Sequence, residues 1–290
     1  MTDQATTHPA PAILDVEHSV TDRRWENRAG EDRLARAISQ QHGLPDVVGR
    51  LLAARDIDID DVEAWLNPTL KDLLPDPSVL QDMDRAATRL CSAIQSGEKI
   101  AIFGDYDVDG ATSSALLARF FRNVSTPPRV YIPDRLKEGY GPTSAAMTLL
   151  ADEGAAVVIT VDCGISAFEP LSVARQAGLD VIVVDHHVAE ATLPEAAAVI
   201  NPNRLDEDGT LGHLAAVGVA YLLVIAVNRA LRDAGWYQSR PEPKLLQWLD
   251  LVALGTVCDM VPLSGLNRAF VAQGLKVMAR RGNPGLVALS

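Results

Sequence analysis

Short, unbroken apolar runs alternate with segments of helical periodicity from residue 99 onward. The run at 181–184, Val-Ile-Val-Val, contains only β-branched residues, which is typical of a strand buried on both faces of a parallel sheet. Alternating strands and helices indicate βαβ units, so the sequence predicts an α/β fold with a doubly wound, mostly parallel sheet. The predicted strands cover 100–103, 129–132, 156–161, 180–184 and 198–200, and the predicted helices cover 111–121, 143–153, 168–177, 214–231 and 244–256.

The first part of the sequence has a different pattern. Residues 1–28 show no periodic apolar pattern and are predicted to be disordered or extended. Residues 29–97 carry helical spacing that prolines interrupt, which predicts a small helical N-terminal subdomain without chemistry of its own. We therefore expect the α/β domain to occupy residues 98–290.

Charge and cysteine content narrow the possible classes of protein. The formal net charge of −12 argues against a basic nucleic-acid footprint over the whole surface. Part of this acidity lies in clustered aspartates, whose charge bound divalent cations would offset. Three cysteines without CxxC spacing predict a reducing compartment, and we interpret this as the cytoplasm. No apolar run approaches the roughly 20 residues of a membrane span, so no membrane association is expected.

Acids and imidazoles stand directly after three of the predicted strands. In a parallel sheet the carboxyl ends of the strands share one edge, where ligands bind at the switch point of the strand order. Side chains that are far apart in sequence are therefore expected to converge at that edge. The candidates are Asp105, Asp107 and Asp109 after the first strand, Asp162 after the third, Asp185, His186 and His187 after the fourth, and Asp259 between apolar segments nearer the C-terminus.

Each acid taken alone has a plainer interpretation. An aspartate after a strand often caps the following helix, although one cap explains only one of the three acids at 105–109. The D-x-D-G pattern with Thr112 resembles the haloacid dehalogenase phosphatases, which would use the first aspartate as a nucleophile and would not need His186 or His187. Cys163 could bind a soft metal, but strand alternation turns it to the opposite face, so core packing is expected.

Together these residues supply four or five carboxylates and one or two imidazoles. Such oxygen-rich ligands favour Mn²⁺ or Mg²⁺ over structural zinc. The number of carboxylates exceeds the needs of one ion and predicts two ions about 4 Å apart. Two ions in that arrangement activate a water molecule and stabilise the oxygens of an in-line phosphoryl displacement. From the residues alone, the sequence predicts a two-metal phosphoesterase.

The segment after the second strand carries candidate DNA-binding groups. Arg135 and Lys137 could neutralise phosphates, and Tyr140 offers a ring on which a base could stack. Because this loop follows a strand, it is expected to lie at the same edge of the sheet as the metals. The alternative is an ordinary surface turn whose tyrosine packs on the protein.

Four segments carry these acids and histidines in order along the chain. They are residues 105–110 (DYDVDG), 161–164 (VDCG), 184–187 (VDHH) and 258–259 (CD). In sequence and order they resemble the four motifs of the DHH phosphoesterase superfamily. Further segments are similar to the RecJ-type single-stranded DNA exonucleases within that superfamily. These are residues 137–141 (KEGYG), 201–203 (NPN), 216–220 (AVGVA), 254–256 (LGT) and 261–263 (VPL).

The resemblance implies roles for the candidate residues. His187 would contact the scissile phosphate or orient a bridging ligand, and it would share the catalytic role with Asp107 and Asp109. Many DHH proteins carry a histidine where this chain has Phe103, and Asp105 is expected to take its place. The metal ligands would be Asp105, Asp107, Asp109, Asp162, His186 and Asp259, and the substrate-binding residues Arg135, Lys137, Tyr140 and His187.

The resemblance also implies a function. We expect the metal-dependent core of a 5′→3′ single-stranded DNA exonuclease in DNA repair and recombination, with a single-strand-binding protein and a helicase as further candidate partners. RecJ-type proteins continue into a DHHA1-type domain and an oligonucleotide-binding fold, so residues 98–290 would be the DHH domain of an N-terminal catalytic portion. The alternatives are a nanoRNase or cyclic-dinucleotide phosphodiesterase, and a non-catalytic replication scaffold.

Overall fold

The computed structural model describes residues 12–26 and 31–290. Contacts divide the chain into two compact units, Met1–Asn67 and Pro68–Ser290. Each unit has a hydrophobic cluster of its own. Among the described residues, no helix is both long and apolar enough to cross a membrane.

The first unit is helical, as the periodicity predicts. Its helices are α1 (Asp32–His42), α2 (Asp46–Ala53) and α3 (Val62–Leu66), with 3-10 turns at Ile13–Asp15 and Ile59–Asp61. The amphipathic faces of these helices meet in a small core formed by Ala35, Ile38, Leu52, Ala53 and Val62.

The segment predicted to be disordered or extended, residues 1–28, is described only over 12–26. That stretch differs from the prediction because it folds back on itself through backbone hydrogen bonds. The amide of Ile13 donates to the carbonyl of Trp25 at 2.9 Å, and the amide of Trp25 donates to the carbonyl of Val16 at 3.0 Å. Residues 1–11 and 27–28 lie outside the described residues.

The second unit is built around a parallel sheet in the order β2-β1-β3-β4-β5. The chain runs from β1 to an edge strand on one side and then crosses to the other side, so the strand order reverses between β1 and β3. The predicted doubly wound parallel sheet is thereby confirmed, with strand bounds close to those expected. The strands are β1 (Ile100–Gly104), β2 (Arg129–Tyr131), β3 (Val157–Val161), β4 (Asp180–Val184) and β5 (Ala198–Ile200).

Helices cover both faces of this sheet, and each strand sends alternate side chains to opposite faces. The helices of this unit are α4 (Leu70–Leu73), α5 (Met83–Ser96), α6 (Val108–Asn123), α7 (Arg135–Glu138), α8 (Ser144–Asp152), α9 (Phe168–Gln176), α10 (Ala216–Asp233), α11 (Leu249–Cys258), α12 (Gly265–Met278) and α13 (Pro284–Leu289). Ile102 and Ile159 enter the large cluster shared with α5, α6 and α10, whereas Phe103 and Val158 enter a second cluster shared with α8 and α9.

Three details differ from the sequence prediction. The segment expected as a loop at 135–141 begins with the short helix α7, whose first turn is capped by the Asp134 side chain. The single helix expected at 244–256 is a 3-10 turn, Leu245–Trp248, followed by α11. Helices α12 and α13 were not predicted at all.

The predicted domain boundary at residue 98 also differs from the division of contacts after Asn67. Helix α5, which was predicted to belong to the N-terminal helices, packs on the second unit. Met83, Ala86 and Leu90 are completely buried there. At the helix start, the Asp82 side chain accepts a hydrogen bond from the Val199 amide at 3.0 Å, which protects part of the edge strand β5.

This packing predicts how shortened chains should behave. A chain of residues 68–290 should unfold cooperatively, because it keeps α5 over its core. A chain of residues 98–290 should lose cooperative unfolding. Each fully buried side chain contributes about 1.5–3 kcal/mol, so the loss of several removes most of a free energy of unfolding of about 5–15 kcal/mol. Circular dichroism melts of the two chains provide the measurement, and equally cooperative melts would contradict the assignment of α5.

Candidate metal centre

The acids and histidines that follow β1, β3 and β4 meet at one edge of the sheet. The ring of His186 lies at the centre of the group. Its Nε2 is 3.3 Å from an oxygen of Asp162, 3.7 Å from an oxygen of Asp259 and 3.9 Å from an oxygen of Asp109. Three overlapping sets of possible ligand atoms each fit within 4.8 Å. The sets are Asp105, Asp107 and Asp162; Asp109, His186 and Asp259; and Asp162, His186 and His187.

Asp107 both caps a helix and faces the site. Its Oδ1 accepts a hydrogen bond from the Gly110 amide at 2.9 Å, which makes it the N-cap of α6. Its carboxyl group also lies within the first set of possible ligand atoms, together with Asp105 and Asp162. Asp107 therefore caps the following helix, as the plainer interpretation of an acid after a strand expects, but it uses only one oxygen for this. The cap does not prevent its carboxyl group from taking part in the site.

Asp109 is held by the start of helix α10. Its two carboxylate oxygens accept hydrogen bonds from the amides of Ala216 and Val217, at 2.6 and 2.9 Å. These amides lack partners within their own helix, and the positive end of the helix dipole favours a negative charge beside them. Burial nevertheless raises the pKa of Asp109 to about 6, against the effect of the Val217 amide and the charge of His186.

Asp162 occupies the most unfavourable position of the group for a negative charge. Burial, followed by the charges of Asp109 and Asp107, raises the pKa of Asp162 to about 10. Its backbone is also left-handed, with φ of 61°, a conformation that costs a non-glycine residue of order 1–3 kcal/mol. The hydroxyl of Tyr140 donates a hydrogen bond to the Asp162 carbonyl oxygen at 3.0 Å and so helps to hold this conformation.

Asp185 is fully buried and supports His187 rather than the ligand cluster. It accepts hydrogen bonds from the amides of Ile165, His186 and His187, and from Nδ1 of His187 at 2.7 Å. Burial by itself would raise the pKa of Asp185, but the hydrogen bond and charge of His187 lower it. The same hydrogen bond raises the pKa of His187 to about 9, so this imidazole is cationic near neutral pH.

The residues fit a divalent cation. Nε2 of His186 and Oδ2 of Asp259 are both buried, and neither has a hydrogen-bond partner within residues 12–26 and 31–290. Buried polar atoms without partners are rare, and a bound cation would satisfy both atoms at once. Carboxylate oxygens with one or two imidazole nitrogens form the donor set that Mn²⁺ and Mg²⁺ accept.

Two other expectations concern residues beside the cluster. Cys163 is fully buried in the apolar cluster beneath α8 and α9, where core packing was expected. The hydroxyl of Thr112 donates to the backbone carbonyl of Val108 at 2.8 Å, so it is engaged in its own helix. A dehalogenase-type site would leave both histidines without a role, whereas here His186 lies among three of the acids.

The predicted DNA-binding loop is only partly brought to the site. The Arg135 guanidinium lies 4.6 Å above the ring of Tyr106 and 6.0 Å from the ring of Tyr140. The ring of Tyr140 in turn makes an edge contact with His187, with centroids 6.2 Å apart. Lys137 is different, because it is strongly exposed and pairs with Asp134 at 3.2 Å.

Comparison with known proteins identifies the family. The family model for the DHH family, N-terminal domain, matches residues 99–256. The chain belongs to the DHH family. This match confirms the resemblance read from the motifs. Three of the four motifs that form the cluster lie within the matched residues, and the fourth, at 258–259, follows just after them.

Individual relatives extend the similarity of the DHH domain toward the N-terminus. The single-stranded-DNA-specific exonuclease RecJ of Salmonella typhimurium is 40% identical over 250 residues, which are 85% of this chain and 43% of that protein. RecJ of Bacillus subtilis is 35% identical over 266 residues, or 92% of this chain and 32% of that protein. The crystal structure of RecJ from Thermus thermophilus in complex with Mn²⁺ superposes with a TM-score of 0.67 at 29% identity, covering 84% of this chain and 33% of that one. The chain thus spans less than half the length of these relatives.

Sequence reasoning assigned no role to the two asparagines that hold the DHH motif. Asn201 donates from Nδ2 to the carbonyl of His187 at 2.9 Å, and Asn203 donates from Nδ2 to the carbonyl of His186. The amide of Asn203 also donates to Oδ1 of Asn201 at 2.8 Å, which links the two side chains. Their signal in the sequence is the position directly after β5, at the same edge of the sheet as the acids.

Gly255 permits the approach that carries Asp259 into the DHH site. A Cβ atom on Gly255 would lie 2.3 Å from the hydroxyl of Thr112 and 2.8 Å from a methyl group of Val217. Only a glycine therefore lets α11 pack this closely against α6 and α10. Asp259 follows one turn later, where its amide donates to the Gly255 carbonyl at 2.9 Å.

The shifted pKa values predict how the metal-free protein responds to pH. The pKa values of Asp109, Asp162 and His187 all lie above their ordinary values of 3.8, 3.8 and 6.5. The folded state therefore binds more protons than the unfolded state, and stability falls as pH rises through these windows. In a chelating buffer, the melting temperature should decrease from pH 6 to pH 9.

The variant Asp162→Asn supplies the control, because it removes the group with the largest upward shift and should make the decrease shallower. Calorimetric melts at matched ionic strength provide the measurement. A melting temperature of the metal-free parent that rises or stays constant between pH 6 and pH 9 would contradict the assigned directions.

Proposed function

We propose that this chain is the metal-dependent phosphodiesterase core of an exonuclease that degrades single-stranded DNA. The observation that carries the proposal is the convergence of five carboxylates and two imidazoles at the edge of the sheet where a doubly wound fold binds its ligand. Relatives named single-stranded-DNA-specific exonuclease RecJ support the substrate class. The same proposal includes degradation from 5′ to 3′, a role in DNA repair and recombination, and location in the cytoplasm. It also includes a single-strand-binding protein and a helicase as partners.

We assign the metal ligands by the overlapping sets of side chains. Asp105, Asp107 and Asp162 would hold one divalent ion, and Asp109, His186 and Asp259 would hold the other. Asp162 lies beside both sets, because its carboxyl group also approaches Nε2 of His186. The cofactor in the proposal is Mn²⁺ or Mg²⁺, in agreement with a T. thermophilus RecJ structure described as a complex with Mn²⁺. When bound, two such ions activate a water molecule and stabilise charge on the attacking and leaving oxygens.

The protein's own residues would bind and orient the phosphate. Asp185 fixes the ring of His187 through Nδ1, so Nε2 is the atom left to face a substrate. Because the pKa of His187 is raised to about 9, the ring would present a positive charge to the scissile phosphate at neutral pH. Asp107 and Asp109 would contribute to catalysis as ligands that helix ends hold in place.

The segment that begins with α7 would guide the strand. The stacked pair of Arg135 and Tyr106 offers a charged guanidinium and an aromatic face beside the acids. Tyr140 exposes about half of its surface, while its hydroxyl is fixed to the carbonyl of Asp162. Such a mixture of cations and aromatic rings is typical of sites for single-stranded nucleic acid. Lys137 would act only as a mobile charge at the periphery.

The alternatives named from the sequence are less well supported. A nanoRNase or cyclic-dinucleotide phosphodiesterase would be expected to carry a histidine at position 103. Phe103 is instead a buried ring that stacks on Tyr131 with centroids 5.3 Å apart. A non-catalytic scaffold would have no reason to keep partnerless ligand atoms buried in an intact acidic cluster.

Digestion of single strands labelled at either end tests the proposal. With Mn²⁺, the protein should release label from 5′-labelled strands first, and chelation should abolish release. Asp162→Asn should reduce the rate at least about a hundredfold, because metal stabilisation of the transition state is worth several kcal/mol. The exposed Asp152→Asn serves as the matched control and should retain the parental rate. Release from the 3′ end first would overturn the polarity, and an active Asp162→Asn protein would overturn the site.

The double variant Arg135→Ala/Lys137→Ala tests the guiding segment. Two lost phosphate contacts should lower the salt dependence of single-strand binding by up to about 1.4 in the slope of log K against log salt. Mn²⁺ affinity should stay unchanged, because neither residue is a ligand. Fluorescence anisotropy across a salt titration and calorimetry with Mn²⁺ provide the two measurements. Parental binding and salt slope in the variant would exclude the segment as the guide.

A further inference from the structure

A groove with a volume of about 420 Å³ runs between helix α6 and the edge strand β2. It begins beside the candidate metal centre, because Asp105 and Tyr106 form one end of its lining. Its other end is lined by Arg119 and Arg122 on the last turns of α6. The helix rise places this end about 16 Å from the first turns of α6. The groove therefore connects the acidic cluster with two cations.

The floor of the groove is apolar and open. Ala111, Ala115 and Ala118 recur on one face of α6, and Val130 and Ile132 from the strand side complete the lining. Because the side chains on the helix are small, they do not fill the groove. Ile132 is substantially exposed. A flat apolar floor of this kind can accept the face of a planar ring system.

Two positive charges lie at one end of this groove. No ion-pair partner of Arg119 or Arg122 lies within 4.0 Å in the described ranges 12–26 and 31–290, although the chain carries a net charge of −12. Arg89, by contrast, contacts both Glu98 and Asp180 at 2.6 Å. Two guanidinium groups without partners at the end of an apolar groove are suited to phosphates.

A buried hydroxyl in the lining also lacks a partner. Ser114 is 4% exposed, and its Oγ has no hydrogen-bond partner in the described part of the chain. Gly104 leaves the space beside this hydroxyl, since a Cβ there would lie only 2.1 Å from it. A buried polar atom without a partner is uncommon in proteins and points to a ligand group that would complete it.

The mouth of the groove carries an aromatic platform. Tyr106 is 43% exposed, and the Arg135 guanidinium lies 4.6 Å from its ring centroid. Bases stack on such rings with little dependence on sequence, and the arginine adds a cation–π contribution. The platform, the apolar floor and the distal arginines follow one another along the groove.

We propose that this groove binds a stretch of single-stranded nucleic acid that extends away from the metal centre. Bases lie on the apolar floor from Tyr106 onward, and backbone phosphates pair with Arg119 and Arg122. The inference rests on the proposed nuclease function and adds a substrate track to it. The track uses Ser114, Arg119 and Arg122, none of which belongs to the proposed metal ligands.

The variant Arg119→Ala/Arg122→Ala tests the track directly. Binding of fluorescent oligothymidylates is measured in a chelating buffer by anisotropy. At about 0.1 M salt, two lost phosphate contacts should weaken binding on the order of twentyfold and reduce the salt slope by about 1.4. The variant Arg280→Ala/Arg281→Ala removes two exposed positive charges just after the end of α12 and should bind like the parent. Mn²⁺ affinity should be the same in all three proteins.

Two further measurements separate the track from general damage. Ser114→Ala should weaken oligonucleotide binding about fivefold, the equivalent of one neutral hydrogen bond, without lowering the melting temperature. Hydrolysis of a thymidine dinucleotide, too short to reach Arg122, should be unaffected in the double arginine variant, whereas hydrolysis of a long oligothymidylate should slow.

The outcomes distinguish this inference from the function on which it rests. If the parental protein neither binds nor cuts single strands, the proposed function fails and the inference fails with it. If the parent binds and cuts while the groove variants behave like Arg280→Ala/Arg281→Ala, the function stands and the track is overturned. Selective loss with long strands supports both.

Discussion

The structure depends on bringing like charges together at one edge of a parallel sheet. Asp105, Asp109 and Asp162 are all at least nine-tenths buried, and the exposed Asp107 and partly buried Asp259 stand against them. Burial raises the pKa values of Asp109 and Asp162, and the charges of neighbouring carboxylates add to the effect. Asp162 shows the result most clearly, with a pKa raised to about 10. Such a cluster is stable only if some of its acids are protonated, if the fold supplies positive potential or if cations enter it.

The fold supplies part of that compensation through backbone groups. Helix α10 directs two free amides at Asp109, helix α6 directs one at Asp107, and three amides surround Asp185. None of these contacts reaches Nε2 of His186 or Oδ2 of Asp259, which remain without partners among the described residues. The compensation by the fold is therefore incomplete, and a divalent cation would satisfy the two remaining atoms. The asparagines after β5 hold the two histidines in position for such a cation.

Much of this arrangement could be predicted because it follows from topology. Unbroken β-branched runs indicate buried parallel strands, parallel strands share one edge, and acids that follow them must then meet there. The second role of Asp109, as the acceptor for α10, could not be predicted, because it depends on a helix start more than a hundred residues away. The sequence placed Asp185 among the candidate residues of the site, but its supporting role could not be predicted. Only the loop geometry shows that its oxygens point to amides and to His187.

The domain division illustrates a different limit. The amphipathic pattern of α5 correctly predicts a helix with one buried face, but it does not indicate which neighbours cover that face. The helix was therefore grouped with the N-terminal helices that precede it, whereas it packs on α10 and β5 of the second unit. Helix α7 escaped prediction for a simpler reason, since one turn of four residues is too short to show a period.

Two adjacent divalent ions in the acidic cluster are central to the proposed chemistry. Titration of the metal-free protein with Mn²⁺, followed by electron paramagnetic resonance, tests their presence most directly. We expect two ions to bind per chain and their spectrum to show spin coupling, because ions about 4 Å apart interact magnetically. Asp162→Asn, which removes the carboxylate beside both ligand sets, should abolish the coupled signal. Binding of a single uncoupled ion, or of none, would contradict a two-metal site.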